Sequence, residues 1–215
     1  MATNPASARG GQPTAQAASA IPKAALRGIA SGVFFMAFFG TLWGSIGVGG
    51  VAGWAAPWPT VLVLLIGVAL LVGAVALWRG SGRLRDAATA EKDNTERWFG
   101  LIFALEGVAI AVASVLCNAT SHFDLFFPIM ALIVGIHFFP LARLFQAGTH
   151  YLTGALLCVV GLVALLVVPV TATLGGREIM ARWLVVGAGC AVILWGTGLL
   201  LLVQGWRALR GAAVA

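Results

Sequence analysis

The chain has 215 residues, of which 60% are hydrophobic and only 9% are charged, and its mean hydropathy is +1.00. This composition excludes an ordinary soluble domain, in which about a quarter of the residues carry a charge. The net charge of +6 is explained below by membrane topology, so we do not interpret it as a sign of nucleic-acid binding. We predict an integral membrane protein whose main partner is the lipid bilayer.

The apolar residues are gathered in six stretches, each close to the ~20 residues that a helix needs to cross the hydrocarbon core. The stretches cover residues 28–49, 59–78, 98–117, 125–145, 152–173 and 183–204. They are continuously apolar and do not alternate with polar residues, which argues against the strands of a β-barrel. Because backbone polar groups in a bilayer are otherwise satisfied only in helices, we predict an all-α bundle of six transmembrane helices.

The two ends of the chain differ from the membrane domain, which we assign to residues 23–207. Residues 1–22 are small, polar and nearly uncharged, and they predict a disordered tail. The apolar run after Lys23 and Arg27 has the length of a full span, so we interpret it as a retained first helix and not as a cleaved signal. Residues 208–215 form a short C-terminal tail.

Lysine and arginine residues are distributed unequally between the two sides of the predicted bundle. If the N-terminus is inside, the opposite side holds only Arg177 and Arg182. The cytoplasmic side then holds all the others: Arg9, Lys23, Arg27, Arg79, Arg83, Arg85, Lys92, Arg97, Arg143, Arg207 and Arg210. This bias follows the positive-inside rule and predicts a bacterial inner-membrane protein with both termini in the cytoplasm.

Glu106 is the one acidic residue that falls well inside a predicted span. Such a side chain costs ~2.5–3.5 kcal/mol on insertion scales, and intramembrane acids usually face a partner or a water-filled cavity. Ala109, Ala113 and Cys117 follow on the same helix face, and small residues of this kind let membrane helices approach closely. We therefore expect Glu106 to face protein.

His137 is the expected partner of Glu106. Counting residues from the helix ends places both side chains ~12 Å from the cytoplasmic side. The short connection 118–124 makes the third and fourth helices antiparallel neighbours. Pro140 removes an amide donor and predicts a kink one turn from His137, while Arg143 lies close enough to the surface to snorkel.

Other polar and small residues give weaker signals. His122 and Asp124 lie in the outer connection with hydroxyl groups beside them, and this spacing suits a metal, the mouth of a pathway or a simple polar connection. These two residues and Arg143 are secondary candidates for the site. Glycines recur at steps of four along the first helix and predict a packing face, either within the chain or in a homo-oligomer. These glycines are Gly28, Gly32, Gly40 and Gly44.

The stretches Leu105-Glu106-Gly107, 135-GIHFFPLARLF-145 and Tyr151-Leu152-Thr153-Gly154 resemble a family of small multi-pass bacterial membrane proteins. The resemblance implies a membrane location and no particular activity. The sequence contains no Walker loop, HExxH or GxSxG motif. We expect no cofactor and no metal. Haem is the least favoured of these, because His122 and His150 lie at opposite faces of the predicted membrane and cannot join His137 at one site.

Three functional hypotheses stay open. The first is a transporter or channel component in which Glu106 and His137 bind a proton or a small solute. The second is a membrane scaffold or accessory subunit without catalytic activity, in which the same pair only fixes the register of two helices. The third is an integral membrane enzyme, although one acid and one imidazole without a nucleophile are few catalytic groups for an active site.

Overall fold

Six long helices account for most of the computed structural model, which describes residues 23–51, 57–84 and 92–214. The predicted N-terminal tail lies outside the described residues. The helices are α1 (Lys23–Gly49), α2 (Trp58–Ser81), α3 (Lys92–Ala119), α4 (Phe126–Leu144), α5 (Gly148–Leu166) and α6 (Ala181–Val214). All six are long and apolar enough to cross a membrane, which is consistent with a multi-pass membrane protein.

The helices differ in length more than the predicted spans do. α4 and α5 have 19 residues each, which corresponds to ~29 Å along the helix axis. α6 has 34 residues, or ~51 Å. It continues to Val214 and so includes most of the segment that the sequence assigns to a C-terminal tail.

The fifth helix ends at Leu166 and does not fill the predicted span 152–173. Pro169 follows shortly after, and proline disfavours the helical conformation in the residue before it and has no amide to donate. The chain instead forms a small antiparallel hairpin of β1 (Ala172–Leu174) and β2 (Arg177–Ile179). The hairpin is an addition to the predicted all-helical fold, and its Ile179 is buried.

The helices pack in an order that differs from the order of the sequence. α1 packs against both α2 and α6, α4 packs against α5, and α5 packs against α6. The core lies among these five helices, and its largest fully buried side chains include Trp43, Leu77, Leu157 and Leu194. α3 lies at the periphery against α4, as its short connection predicts. Almost none of its apolar, membrane-spanning part is buried inside the bundle.

Small residues allow α1 and α6 to approach each other closely. A Cβ atom added at Gly47 would lie 2.8 Å from the backbone nitrogen of Ala188, and Gly187 lies directly against the backbone of Gly47. Gly40 and Gly44 both contact the ring of Trp195. Most of the glycine face of α1 therefore packs within the chain and is not free to form contacts between copies.

Gly28 does not belong to this packing face, contrary to the expectation from the sequence. It is exposed, and a Cβ atom added there would meet nothing within 4 Å. The physical reason is that four residues exceed one helical turn of 3.6 residues, so a repeat of four drifts by ~40° at each step. Three steps separate Gly28 from Gly40, and they turn the two residues to different faces.

Replacing Gly47 with alanine tests the close contact. We expect Gly47→Ala to lower the free energy of unfolding by about 1–3 kcal/mol, because a new methyl group would have to displace the backbone of α6. Gly28→Ala is the matched control in the same helix, and it should leave stability unchanged or raise it slightly because alanine favours helices. Thermal unfolding in detergent measures both, and equal melting temperatures for the two variants would contradict the packing described.

Candidate functional site

Glu106 on α3 and His137 on α4 contact each other in the structure. Nδ1 of His137 lies 3.4 Å from Oε1 of Glu106, and both side chains are about nine-tenths buried (10% and 11% exposed). The contact that the sequence predicts between these two residues is therefore present. It joins the peripheral helix to the rest of the bundle.

The backbone of α4 determines which nitrogen of His137 carries a proton. Nδ1 lies 2.8 Å from the carbonyl oxygen of Val134, one turn earlier in the helix. A carbonyl only accepts hydrogen bonds, so Nδ1 must be the donor, and Nε2 of the neutral ring is then an acceptor. Nε2 is buried and has no partner among the described residues.

This arrangement leaves Glu106 with only a weak contact to the histidine. The Nδ1 proton is directed to Val134, and a separation of 3.4 Å is longer than a good hydrogen bond between nitrogen and oxygen. Sequence reasoning missed this competition, because a bond from a histidine to its own helix backbone leaves no pattern in the sequence. Glu106 therefore retains most of its capacity to accept hydrogen bonds.

Aromatic rings surround the imidazole of His137. The ring of Phe103 on α3 lies edge-on at 5.5 Å between centroids, and that of Phe138 lies at 4.8 Å. Phe103 also contacts Phe99 and Phe35, which extends the aromatic cluster to α1. These rings restrict the orientations of His137 and exclude water from that side of the pair.

A cleft of about 1000 Å³ runs between α3 and α4, and Glu106 and His137 line it together. Most of its wall is apolar and includes Leu105 and Ile136, which are 61% and 60% exposed. The cleft therefore opens on the outer, apolar surface of the bundle and does not form a central pore. A volume of this size is within the range of sites for small organic molecules.

Pro140 and Arg143 also line the cleft. α4 continues through Pro140 as one helix, and the predicted kink there stays a prediction. Because proline has no amide proton, the carbonyl of Ile136 lacks its usual helical donor. Arg143 is exposed near the end of α4, in keeping with the position expected for a snorkelling side chain.

The secondary candidates at the other end of α4 are held by different partners. Asp124 forms a salt bridge with Arg182 of α6, in which Nη1 donates to Oδ2 at 2.5 Å. Arg182 also donates to the carbonyl of Val168, so it joins the ends of three helices. Nδ1 of His122 lies 2.6 Å from the carbonyl of Thr120. These contacts give Asp124 a structural role that the sequence did not indicate.

His150 lies nearer to His137 than its sequence position indicates. Its ring contacts that of Phe138 at 5.7 Å, and Phe138 in turn contacts His137. The two imidazole rings are thus separated by the ring of Phe138, and the turn after α4 brings the start of α5 back beside that ring. Within the ranges that the structure describes, no three acidic, histidine or cysteine residues are grouped as metal ligands.

Comparison with known proteins adds no further identification. No protein-family model, curated protein or solved structure matches the chain. The fold and the site thus define a class, which is a multi-pass membrane protein with six apolar helices and an acid–imidazole contact between two of them.

A double-mutant cycle measures the contact between Glu106 and His137. We expect Glu106→Leu and His137→Leu to be coupled only weakly, because Nδ1 of His137 keeps its bond to Val134 in Glu106→Leu and the contact between the pair is long. The coupling energy should lie at the lower end of the range for residues in contact, on the order of 0.5 kcal/mol. The cycle needs the melting temperatures, in detergent, of the unaltered protein, the two single variants and the double variant. Strictly additive losses would show that the two side chains do not interact.

Proposed function

We propose that the chain is a small inner-membrane transporter or channel component that uses Glu106 and His137 to bind a proton or a small solute. The observation that carries the proposal is the contact between an acid and an imidazole at the wall of a cleft within the apolar helices. A purely structural pair would be expected to satisfy its own hydrogen bonds, whereas Glu106 accepts only a long contact. This unused capacity of Glu106 supports a role in binding a further group.

The chemistry of the pair suits proton exchange. A carboxylate can take up a proton, and a neutral imidazole with Nδ1 protonated can accept a second proton at Nε2. Each group can therefore take up and release a proton at its own atom, Glu106 at its carboxylate and His137 at Nε2. Coupling the movement of a solute to this exchange requires only that the solute and the proton compete for Glu106.

A scaffold or accessory subunit is the second candidate, and the exposure of α3 favours it. Val108, Val112 and Val115 on α3 are all more than half exposed. Such a face suits the packing of a helix from a partner protein within the membrane. An integral membrane enzyme comes third, because the described residues that line the cleft include no serine, threonine or cysteine nucleophile beside the acid and the imidazole.

Flux measurements test the proposed function. Protein reconstituted into liposomes with a trapped pH-sensitive dye should move protons or a proton-coupled solute when a gradient is imposed. We expect Glu106→Gln to lose most of this flux, because the amide keeps the size and hydrogen bonding of the acid but cannot exchange a proton. Glu178→Gln is the matched control, because Glu178 is exposed on the hairpin and lies outside the cleft.

The outcome separates the first two candidates. Equal flux in Glu106→Gln and in the unaltered protein would remove Glu106 from the mechanism. No flux of protons, ions or solutes under any gradient would overturn the transport proposal and favour the scaffold.

The proposed orientation has both termini in the cytoplasm, as the distribution of basic residues supports. Single cysteines can be introduced after Cys117, Cys158 and Cys190, all of them free thiols, have been replaced. We expect a membrane-impermeant thiol reagent to label Ser121→Cys from the outside of intact cells and to label Ala88→Cys only after the cells are broken. Labelling of Ala88→Cys in intact cells would reverse the orientation.

A further inference from the structure

The inner part of the cleft contains hydrogen-bond acceptors without matching donors. Glu106 is acceptor-only when ionised, and Nε2 of His137 is a buried acceptor with no partner among the described residues. The N–H group of the same ring, at Nδ1, is directed to Val134. A ligand that donates hydrogen bonds and carries a positive charge would complete this part of the cleft.

The donors that line the cleft lie at its other end. Trp98 precedes Glu106 by eight residues on α3, and Arg143 follows His137 by six residues on α4. At ~1.5 Å per residue they are ~12 Å and ~9 Å away along their helices. The cleft therefore has an acceptor end near Glu106 and a cationic end near Arg143, with apolar wall between them.

We propose that this cleft binds a lipophilic amine, meaning a small apolar molecule with a protonated amino group that carries N–H donors. The assignment rests on the proposed function, for which it names the class of solute. The ammonium group would lie against Glu106, because Arg143 repels it from the other end. The apolar part would lie along Leu105 and Ile136.

Charge explains why an amine fits this cleft better than other amphiphiles. An ionised acid among apolar helices is costly, and a charge-assisted hydrogen bond from an ammonium group offsets that cost. An anionic amphiphile that entered to the same depth would bring a second negative charge to Glu106. A neutral alcohol could donate one hydrogen bond but would leave the charge of the acid uncompensated.

The shape of the cleft gives such a molecule a lateral way in. Leu105 and Ile136 are largely exposed on the outer surface of the bundle. Lipophilic amines partition into bilayers, and their apolar part can therefore reach the cleft from the lipid without passing through the centre of the bundle. One side of this opening is formed by α3, the helix with the smallest buried share among the six described.

Binding measurements with three matched probes test this inference. The probes are n-decylamine, decyltrimethylammonium and n-decanol, which share the chain and differ in charge and N–H donors. Each is titrated calorimetrically into protein in lipid nanodiscs, and empty nanodiscs supply the correction for partitioning. We expect decylamine to bind the unaltered protein and Glu178→Gln equally, and to bind Glu106→Gln about tenfold more weakly or worse.

The comparison among probes decides between charge and hydrogen bonding. Both decyltrimethylammonium and decanol should bind more weakly than decylamine. Equal affinity of decylamine for Glu106→Gln and for the unaltered protein would overturn the proposal. Equal affinity of the unaltered protein for decylamine and decyltrimethylammonium would also overturn it, because N–H donors would then play no part.

A second pair of variants covers the case in which Glu106→Gln does not fold. Ile136→Trp fills the cleft from its exposed wall and should abolish decylamine binding. Val108→Trp adds the same ring to an exposed position of α3 outside the cleft and should leave binding unchanged. Unchanged binding in Ile136→Trp would place the amine elsewhere and overturn the assignment.

Binding is measured without a gradient, so it is independent of transport. If amine binding depends on Glu106 but the protein shows no flux, the proposed ligand class stands and the proposed transport function is wrong. If flux depends on Glu106 but the protein binds no amine, the proposed transport function stands and the proposed ligand class is wrong.

Discussion

The direct contact between the backbones of α1 and α6 is the constraint on which the rest of the bundle depends. Where Gly47 meets Gly187, no side chain separates the two helices, and such close approach is how membrane helices gain packing energy without a hydrophobic driving force. A second contact of the same kind joins α4 to α5, where a Cβ atom at Gly135 would lie 2.9 Å from the carbonyl oxygen of Gly154. Two closely packed helix pairs thus form the frame of the protein.

The candidate site combines one rigid wall and one loosely held wall. His137 follows Gly135 by two residues, so the tight contact between α4 and α5 also fixes the helix that carries the imidazole. Glu106 is carried by α3, which is mostly exposed and packs mainly against α4. The acid and the imidazole thus belong to helices that differ strongly in how much of their surface is packed.

The contact between Glu106 and His137 could be predicted because it depends on simple geometry. Two antiparallel helices with a short connection place residues at equal distances from that connection at equal depth, and helical rise converts residue number into depth. The glycine repeat could be predicted less well, because a period of four only approximates a helical turn, and Gly28 consequently leaves the packing face.

The remaining features depend on contacts between distant parts of the chain. Nothing in the sequence near Asp124 indicates that Arg182, on another helix, would be its partner. The hairpin after α5 was missed because β1 begins inside the apolar run that the predicted span 152–173 includes, although Gly175-Gly176, both with positive φ, is a typical hairpin turn. The bond from His137 to Val134 is local, but it depends on a side-chain rotation that residue identity does not determine.

The unequal lengths of the helices relate the cleft to the thickness of the surrounding membrane. α4, at ~29 Å, barely matches a hydrocarbon core of ~30 Å, whereas α6, at ~51 Å, exceeds it and must tilt or project beyond it. In a thicker bilayer α6 can adjust by becoming more upright, but α4 has no length to spare. Hydrophobic mismatch would then act first on α4, which forms one side of the cleft. A change in bilayer thickness would therefore alter the width of the cleft before it altered the packing of α1 against α6.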